Sequence, residues 1–283
     1  MPLQFSTVKR PSRNEPGFTE FLESCRQGNL PVVEESLQQH QPNNTWLSHA
    51  LTEAAKADQP VIMELLLERG ATIQTWTVYA AKSQAAWEIL LKHGLEINNP
   101  MPWALVPLIS VVVKNDAALL RWYLSLGADP NLGPPDTRRK GFVDSDDVPV
   151  PSSGAALEEA SRFCDTCIVD ILVEHGAKLE NSLALHSALV RQEKRIPVME
   201  HLLDLGVDIN HFGWLPPLAH GGTALHLAAY RGQVEEVQWL LEHGADPEIE
   251  GRMQMMPEAY ALLQDQDKVV KLLRDWRGIV IPS

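Results

Sequence analysis

Three features of the amino-acid sequence predict an all-α solenoid of about eight helix-turn-helix units. Residues 222–251 contain two short amphipathic segments separated by a turn at Arg231-Gly232, and the apolar residues of the second segment recur at helical spacing. Gly244 follows the last apolar residue, where helices commonly end in a left-handed conformation. Leucine-rich phrases that end in glycine recur along the chain. Because a pair of helices this short cannot bury its apolar faces alone, we expect copies to stack on either side.

Six closing glycines set the period of this array, with successive spacings of 24, 33, 49, 30 and 38 residues. They are Gly70, Gly94, Gly127, Gly176, Gly206 and Gly244. The best-preserved unit opens with Thr223-Ala224-Leu225-His226 and ends with Gly244-Ala245-Asp246. It resembles one ankyrin repeat, whose helix opening reads Thr-Pro-Leu-His and whose ending reads Gly-Ala-Asp. The resemblance covers roughly residues 18–276, and the spacings scatter around the ankyrin period of about 33 residues.

The first four helix pairs are predicted over residues 18–40, 46–69, 75–93 and 106–126. In the first pair, Phe21, Leu22 and Cys25 line one face and Gly28-Asn29 makes the turn, which is typical of an N-terminal capping unit. The second pair has Ala50 to Ala55 in the place of a first helix, and the third is two residues shorter. The fourth opens with Val106-Pro107-Leu108, where proline suits a first helical position because the N–H that it lacks would be unpaired anyway.

The remaining pairs are predicted over residues 154–175, 183–205, 222–251 and 256–276. Ala156-Leu157 opens the fifth pair and Leu185-His186 opens the sixth, with two extra residues near Pro197. Met256-Pro257 opens the eighth pair, whose second helix carries apolar residues at positions 269, 270, 272 and 273. This last pair is the predicted C-terminal cap.

The predicted domain organisation is a single ankyrin-repeat domain over residues 18–276. Residues 1–17 are expected to form a flexible arm and residues 277–283 a C-terminal tail. Two segments without periodicity, 132–150 and 211–221, are predicted to be long insertions at finger positions between repeats. Structureless loops of this length are usually functional or disordered.

The composition limits the classes of function. The net charge is −13, and such an acidic surface is unsuited to nucleic acid or anionic membranes, which bind clusters of Lys and Arg. No apolar run approaches the length of about 18 residues that a membrane span needs. The first residues contain no signal-peptide hydrophobic region, and three cysteines are too few for a disulfide framework. The sequence therefore favours a cytoplasmic protein, with the nucleus as an alternative.

The resemblance implies where a partner would bind. In ankyrin proteins the fingers and the first helices of the pairs form a concave surface, and the second helices form the convex back. Carried onto this chain, the family pattern favours non-catalytic binding of a protein or peptide, with a basic partner as one possibility raised by the acidic charge. Aromatic residues and Arg are the usual anchors of interfaces. The candidate binding residues are Trp46, Trp103, Lys114, Arg162, Phe163, Phe212, Trp214, Tyr230 and Arg231. The alternative for each tryptophan is that it fills a gap between repeats.

An enzyme or small-molecule binder is the second hypothesis. His211 and His220 bracket the second insertion, and Asp144 and Asp146 lie in the first, so a cleft between the insertions would combine acid/base groups. Against this stand the missing sequence motifs: no phosphate-binding glycine loop, nucleophile elbow or metalloprotease helix is present. No cofactor and no metal are predicted. His226 and His186, at the signature position, are expected to have structural roles.

Overall fold

The structure, a computed structural model, describes residues 17–99, 106–134, 150–213, 221–251 and 254–280. Within these residues sixteen α-helices follow one another as eight pairs, which confirms the predicted all-α fold. The described residues form two compact units, divided near residue 130. Residues 130–132 belong to the second unit, whereas 133, 134 and 150 belong to the first. The predicted arm, residues 1–16, lies outside the described part of the chain.

Unit 1 contains the first four helix pairs. Its helices are α1 (Phe18–Gln27), α2 (Leu30–His40), α3 (Asn44–Lys56), α4 (Pro60–Glu68), α5 (Thr75–Ala80), α6 (Gln84–Lys92), α7 (Pro107–Val112) and α8 (Ala117–Ser125). The first helices of the pairs pack in the order α1, α3, α5, α7, and the second helices α2, α4 and α6 pack beside one another. Trp87 and Tyr123, both fully buried, meet with ring centroids 5.1 Å apart and fill the space between the third and fourth pairs.

Unit 2 contains the other four pairs. Its helices are α9 (Ala155–Phe163), α10 (Thr166–Glu174), α11 (Ala184–Leu189), α12 (Arg195–Asp204), α13 (Ala224–Tyr230), α14 (Val234–Glu242), α15 (Pro257–Leu263) and α16 (Asp267–Val280), with a 3-10 turn at Leu179–Asn181. First helices again pack on first helices, in the order α9, α11, α13, α15. Because α16 runs to Val280, the expected tail at 277 begins inside a helix, which corrects the predicted boundary.

The closing glycines are required for their backbone conformation. All six have φ between 89° and 96°, a region that residues with a Cβ adopt only with strain. A Cβ at any of them would meet no atom within 4 Å, so space is not the constraint. Beyond each glycine the chain turns back on its helix, as where the Ala71 N–H donates to the Leu66 carbonyl at 2.9 Å. The sequence pattern therefore marked these helix ends correctly.

Asparagine side chains join one repeat to the next. The Asn98 side chain donates to the Gly127 carbonyl at 2.9 Å, and its oxygen accepts from the Asp129 N–H at 2.9 Å. In unit 2 the same two bonds recur at two asparagines. Asn131 donates to the Gly176 carbonyl and accepts from the Lys178 N–H, and Asn210 donates to the Gly244 carbonyl and accepts from the Asp246 N–H. We call these three residues the asparagine latches. Each latch binds the carbonyl of a closing glycine, one residue beyond the helix C-cap, and so joins that turn to the loop before the same helix pair.

We predict that Asn98→Ala lowers the free energy of unfolding by about 1 kcal/mol, because two hydrogen bonds are lost at an exposed site where water can replace them. Asn99→Ala, at an exposed neighbour outside the latch, should change it by less than about 0.5 kcal/mol. Urea denaturation followed by circular dichroism measures both. Equal effects of the two substitutions would mean that the latch contributes nothing to stability.

Candidate functional site

In unit 1 the turns between first and second helices are bonded into a row. We call the residues 28–29, 57–59, 81–83 and 113–116 the unit 1 turn row. Asp58 accepts from the Ser83 hydroxyl at 2.6 Å, which joins the second turn to the third. The Lys114 ammonium donates to the Tyr79 carbonyl and joins the fourth turn to the end of α5. Burial, and secondarily the charge of Lys82, lower the pKa of Lys114. Lys114, which the sequence predicted to contact a partner, is therefore half-buried. Its ammonium group already forms a hydrogen bond within unit 1.

Unit 2 has an equivalent set of turns. We call residues 162–165, 190–194, 230–233 and 262–266 the unit 2 turn row, which includes the last residues of α9, α13 and α15. The Arg191 guanidinium donates to the Ser161 carbonyl at 2.8 Å and to the Cys164 carbonyl at 2.9 Å, so it ends α9 and joins two turns. Gln233 donates to the Leu189 carbonyl at 2.8 Å and joins the next two. Hydrogen bonds therefore fix the backbone that carries the side chains of these turns.

Phe163 is the most exposed aromatic of the unit 2 turn row, at 60% exposure. It is the last residue of α9 and lies at the edge of the helix face formed by the buried residues Ala156, Leu157 and Ala160. The Arg162 guanidinium lies 5.7 Å from the Phe163 ring centroid, in cation–π range, and pairs with Glu159 at 3.3 Å. Arg162 and Phe163 therefore form one preassembled polar and apolar pair at the surface.

The rest of the unit 2 turn row mixes apolar and charged groups. Tyr230 is half-buried and Arg231 is exposed at the end of α13. Leu262 and Leu263, at the end of α15, are 50% and 62% exposed. The cations of this surface are accompanied by acids: Glu159, Asp165, Glu193 and Asp265. The surface is close to charge balance, so the overall charge of the chain does not describe it.

Trp76 is a surface aromatic that sequence reasoning missed. It is 71% exposed in the first turn of α5, and its ring centroid lies 6.2 Å from that of Tyr79. The sequence contained a signal in its helical spacing, which places residue 76 outside the face formed by Thr77, Val78 and Ala81. The structure shows that these three residues are the buried ones. Unit 1 thus has an exposed indole, Trp76, beside the half-buried ring of Tyr79.

Trp46 does not form part of an exposed site. It lies inside α3, is 7% exposed, and its ring centroid is 4.8 Å from that of Phe18. Phe21 packs on the same indole, with ring centroids 6.3 Å apart. The structure therefore corrects the expectation for Trp46 in favour of the alternative, in which the indole seals the core under the first helix pair.

Both predicted insertions are closed at their base by two backbone hydrogen bonds. Gly133 pairs with Val150, and Gly213 pairs with Gly222, each as an antiparallel bridge. Beside the second bridge, Phe212 is 48% exposed and His211 is half-buried. The other predicted residues of these loops and of the finger before α7 lie outside the described residues: Trp103, Asp144, Asp146, Trp214 and His220. The hypothesis of an acid/base cleft stays a prediction.

Two buried histidines hold the base of the second insertion. His186 donates from Nε2 to the Gly222 carbonyl at 3.0 Å. The Thr223 N–H donates to Nδ1 of His226 at 3.1 Å, so the other ring nitrogen carries the hydrogen and donates to the Met255 carbonyl at 3.2 Å. Burial lowers the pKa of each imidazole to about 4. Both rings are therefore neutral at pH 7 and serve as structural donors, as expected from their position in the repeat.

The described residues lack two features that would indicate other functions. No group of three or more His, Cys, Asp or Glu side chains there is arranged to hold a metal ion. No helix in the same part of the chain has the length and apolar character of a membrane span. Of the Cys-x-x-Cys pair, Cys164 is buried in the turn after α9, where burial raises its pKa to about 11, and Cys167 is exposed.

Comparison with known proteins identifies related sequences. Residues 220–252 match the family model described as Ankyrin repeat. The Ankyrin repeat and KH domain-containing protein mask-1 of Caenorhabditis elegans is 23% identical over 263 residues, which cover 81% of this chain and 10% of that protein. Regulatory protein NPR6 of Arabidopsis thaliana is 29% identical over 209 residues, which cover 71% of this chain and 39% of that protein. The chain thus spans less than half the length of either relative. The resemblance seen in the sequence is confirmed.

The neutral histidines predict a pH dependence of stability. Between pH 6.5 and about 4 the unfolded chain binds a proton at His186 that the folded chain does not, so stability falls as the pH falls through this range and is retained above it. The loss from pH 7 to pH 5 is about 2 kcal/mol for each such histidine. His186→Gln should therefore lose about 2 kcal/mol less than wild type over this interval, measured by urea denaturation at both pH values.

The matched control is His175→Gln, at an exposed histidine on the same unit. Its loss of stability between pH 7 and pH 5 should equal that of the wild-type chain. If His186→Gln showed the full wild-type loss, the neutral state of His186 in the folded protein would be disproved.

The two tryptophans predict opposite results. Trp46→Ala should lower the free energy of unfolding by about 3–5 kcal/mol, because it empties a packed site. Trp76→Ala should change it by less than about 0.5 kcal/mol, because the side chain faces water. Chemical denaturation of both variants measures the difference. A large loss for Trp76→Ala would show that its exposed position is incorrect.

Proposed function

We propose that this chain, which matches the ankyrin repeat model over residues 220–252, is a non-catalytic binding protein that holds a protein or peptide partner on its first helices, turns and loops. Ankyrin repeats are generally modules of protein–protein interaction. The observation that carries the proposal is the row of exposed apolar side chains on the bonded turns of unit 2. Phe163, Leu262 and Leu263 are each at least half exposed. Arg191 holds the turn after Phe163. The turn after Leu263 is held by the Asp265 and Gln266 N–H groups, which donate to the Leu262 and Ala261 carbonyls.

The energy of binding would come from covering these apolar side chains. Removing apolar surface from water contributes roughly 25 cal/mol per Å². An aromatic or Arg residue at the centre of an interface often contributes most of the affinity, and Phe163 with Arg162 supplies both types in one contact. Because the turns are already joined to one another, little backbone ordering would oppose binding.

The partner would present apolar side chains together with groups of both charges. The cations Arg162 and Arg231 stand among acids of the same turns, so this surface provides specific pairing rather than a strong field of one sign. Charge pairs at the rim of an interface mainly set specificity and the rate of association. The total charge of the chain suggested a basic partner. Because acids and cations nearly balance on these turns, we do not propose a basic partner for this surface.

The loops would form a second part of the same binding surface. The helix α13, seven residues long, lies between the bridge at Gly222 and the turn at Arg231. Its axis spans roughly 10 Å. Phe212 is exposed beside that bridge. We include Trp103 and Trp214 in this part of the proposal on their positions in the sequence.

The experiment compares a turn-row variant with a surface control. Phe163→Ser with Arg231→Ala removes one exposed apolar and one exposed cationic side chain from the unit 2 turn row. The control, Leu126→Ser with Lys271→Ala, also removes one exposed apolar and one exposed cationic side chain. Leu126 directly follows α8 and Lys271 lies in α16, so neither belongs to the unit 2 turn row. Affinity capture with quantitative mass spectrometry should recover a partner with wild type and the control, and about tenfold less of it with the turn-row variant. Equal recovery by both variants would refute the proposed surface.

A further inference from the structure

An open apolar groove lies on the second helices of unit 1. It has a volume of about 420 Å³ and is lined by residues of α2, α4 and α6, among them Leu30, Val61, Leu65 and Ile89. Val61 is 62% exposed, whereas the other three are partly buried. The volume falls within the range of about 300–1,000 Å³ that is usual for binding clefts. In α4 the buried residues Ile62, Met63 and Leu66 lie on the other face of the helix, so Val61 is left open to water.

Carboxylates surround this apolar floor. Glu34, Glu64 and Glu68 line the same groove. Within the described residues, Glu34 and Glu68 are exposed and make no direct salt bridge, whereas Glu64 contacts Lys92 at 2.5 Å and His93 at 3.2 Å. The charge of Glu68 also acts on Lys92, so one cation serves both Glu64 and Glu68. Hydrogen bonding to the Lys92 ammonium lowers the pKa of Glu64 and keeps it ionised. The three helices together carry five glutamates and one lysine, so this face holds an acidic surplus that the turn rows lack.

We propose that this groove docks an amphipathic helix of a partner protein, with apolar residues on one face of that helix and Lys or Arg along its edges. Apolar residues at helical spacing would cover Val61 and Leu65, and the cations would lie against Glu34 and Glu68. Helices that lay an apolar face into a groove are a recurring mode of recognition. Opposite charge at the rim selects the partner and its orientation. This docking surface is independent of the turn rows and would take a partner of different chemistry.

A synthetic peptide tests this inference. The probe is a helical peptide of about 15 residues with Leu at positions i, i+3, i+4 and i+7 and Lys elsewhere, and its permuted form has the same composition without an apolar face. Titration calorimetry with the full chain should give saturable one-to-one binding of the probe and at least about tenfold weaker binding of the permuted form. Binding that does not saturate below about 1 mM would overturn the proposal.

Charge variants locate the contact. Glu34→Lys with Glu68→Lys changes the groove, and Glu35→Lys with Glu88→Lys makes the same change of net charge on exposed residues of α2 and α6 that do not line it. The groove variant should bind the probe at least about tenfold more weakly, and the control should stay within about twofold of wild type. Equal weakening would reveal general attraction to an acidic protein and would refute a docking site.

Two further variants complete the test. Val61→Ser should weaken binding of the probe, whereas Val32→Ser, at an exposed valine outside the groove, should not. Phe163→Ser with Arg231→Ala should bind the probe like wild type, which separates this inference from the proposed function. Analytical ultracentrifugation tests whether a second copy of the chain fills the groove. A dimer that Val61→Ser dissociates would show that a second copy, and not a partner helix, occupies it.

Discussion

The structure depends on one constraint: helices of six to fourteen residues bury their apolar faces only against neighbouring pairs. Each pair must therefore end in a conformation that delivers the chain to the next pair in register. A glycine with φ near 90° turns the chain back at each closing phrase, and the latches Asn98, Asn131 and Asn210 bond that turn to the next repeat. Since these bonds reach the carbonyls of the closing glycines, the residue that turns the chain is also the residue that a latch holds.

The sequence predicted those features that a residue type determines by itself. Only glycine takes the closing conformation without strain, so the helix ends and the eight pairs could be recognised. The latches could not, because an asparagine in a loop has no pattern until its partner is known. Trp46 and Trp76 make the same point: both begin a first helix, but Phe18 covers one indole and no described side chain buries the other. Their exposure is decided by neighbouring repeats and not by local sequence. The helix α16 continues through Gly278 to Val280, so the tail predicted from residue 277 begins inside that helix.

The candidate site separates into parts that the sequence treated as one. Arg162, Phe163, Tyr230 and Arg231 lie on turns, whereas Phe212 and His211 lie beside a loop base at the other end of a first helix. That base is held by buried neutral donors, since His186 binds the Gly222 carbonyl and a Cβ at position 222 would lie 2.7 Å from the His226 ring. Fixed turns and a fixed loop base mean that the residues between them keep a constant separation. A surface of this kind selects partners by shape before it selects them by charge.

The distribution of charge has a consequence for partner choice. The net charge of −13 suggests one acidic surface and one basic partner, but acids and cations nearly balance along the unit 2 turn row, and the surplus on α2, α4 and α6 lies beside exposed apolar residues. Exposed charges interact over roughly 10 Å at ordinary ionic strength, so each surface is read by its own local charge and not by the total. The described residues therefore present two surfaces of unlike chemistry, one on the turns of unit 2 and one on the second helices of unit 1.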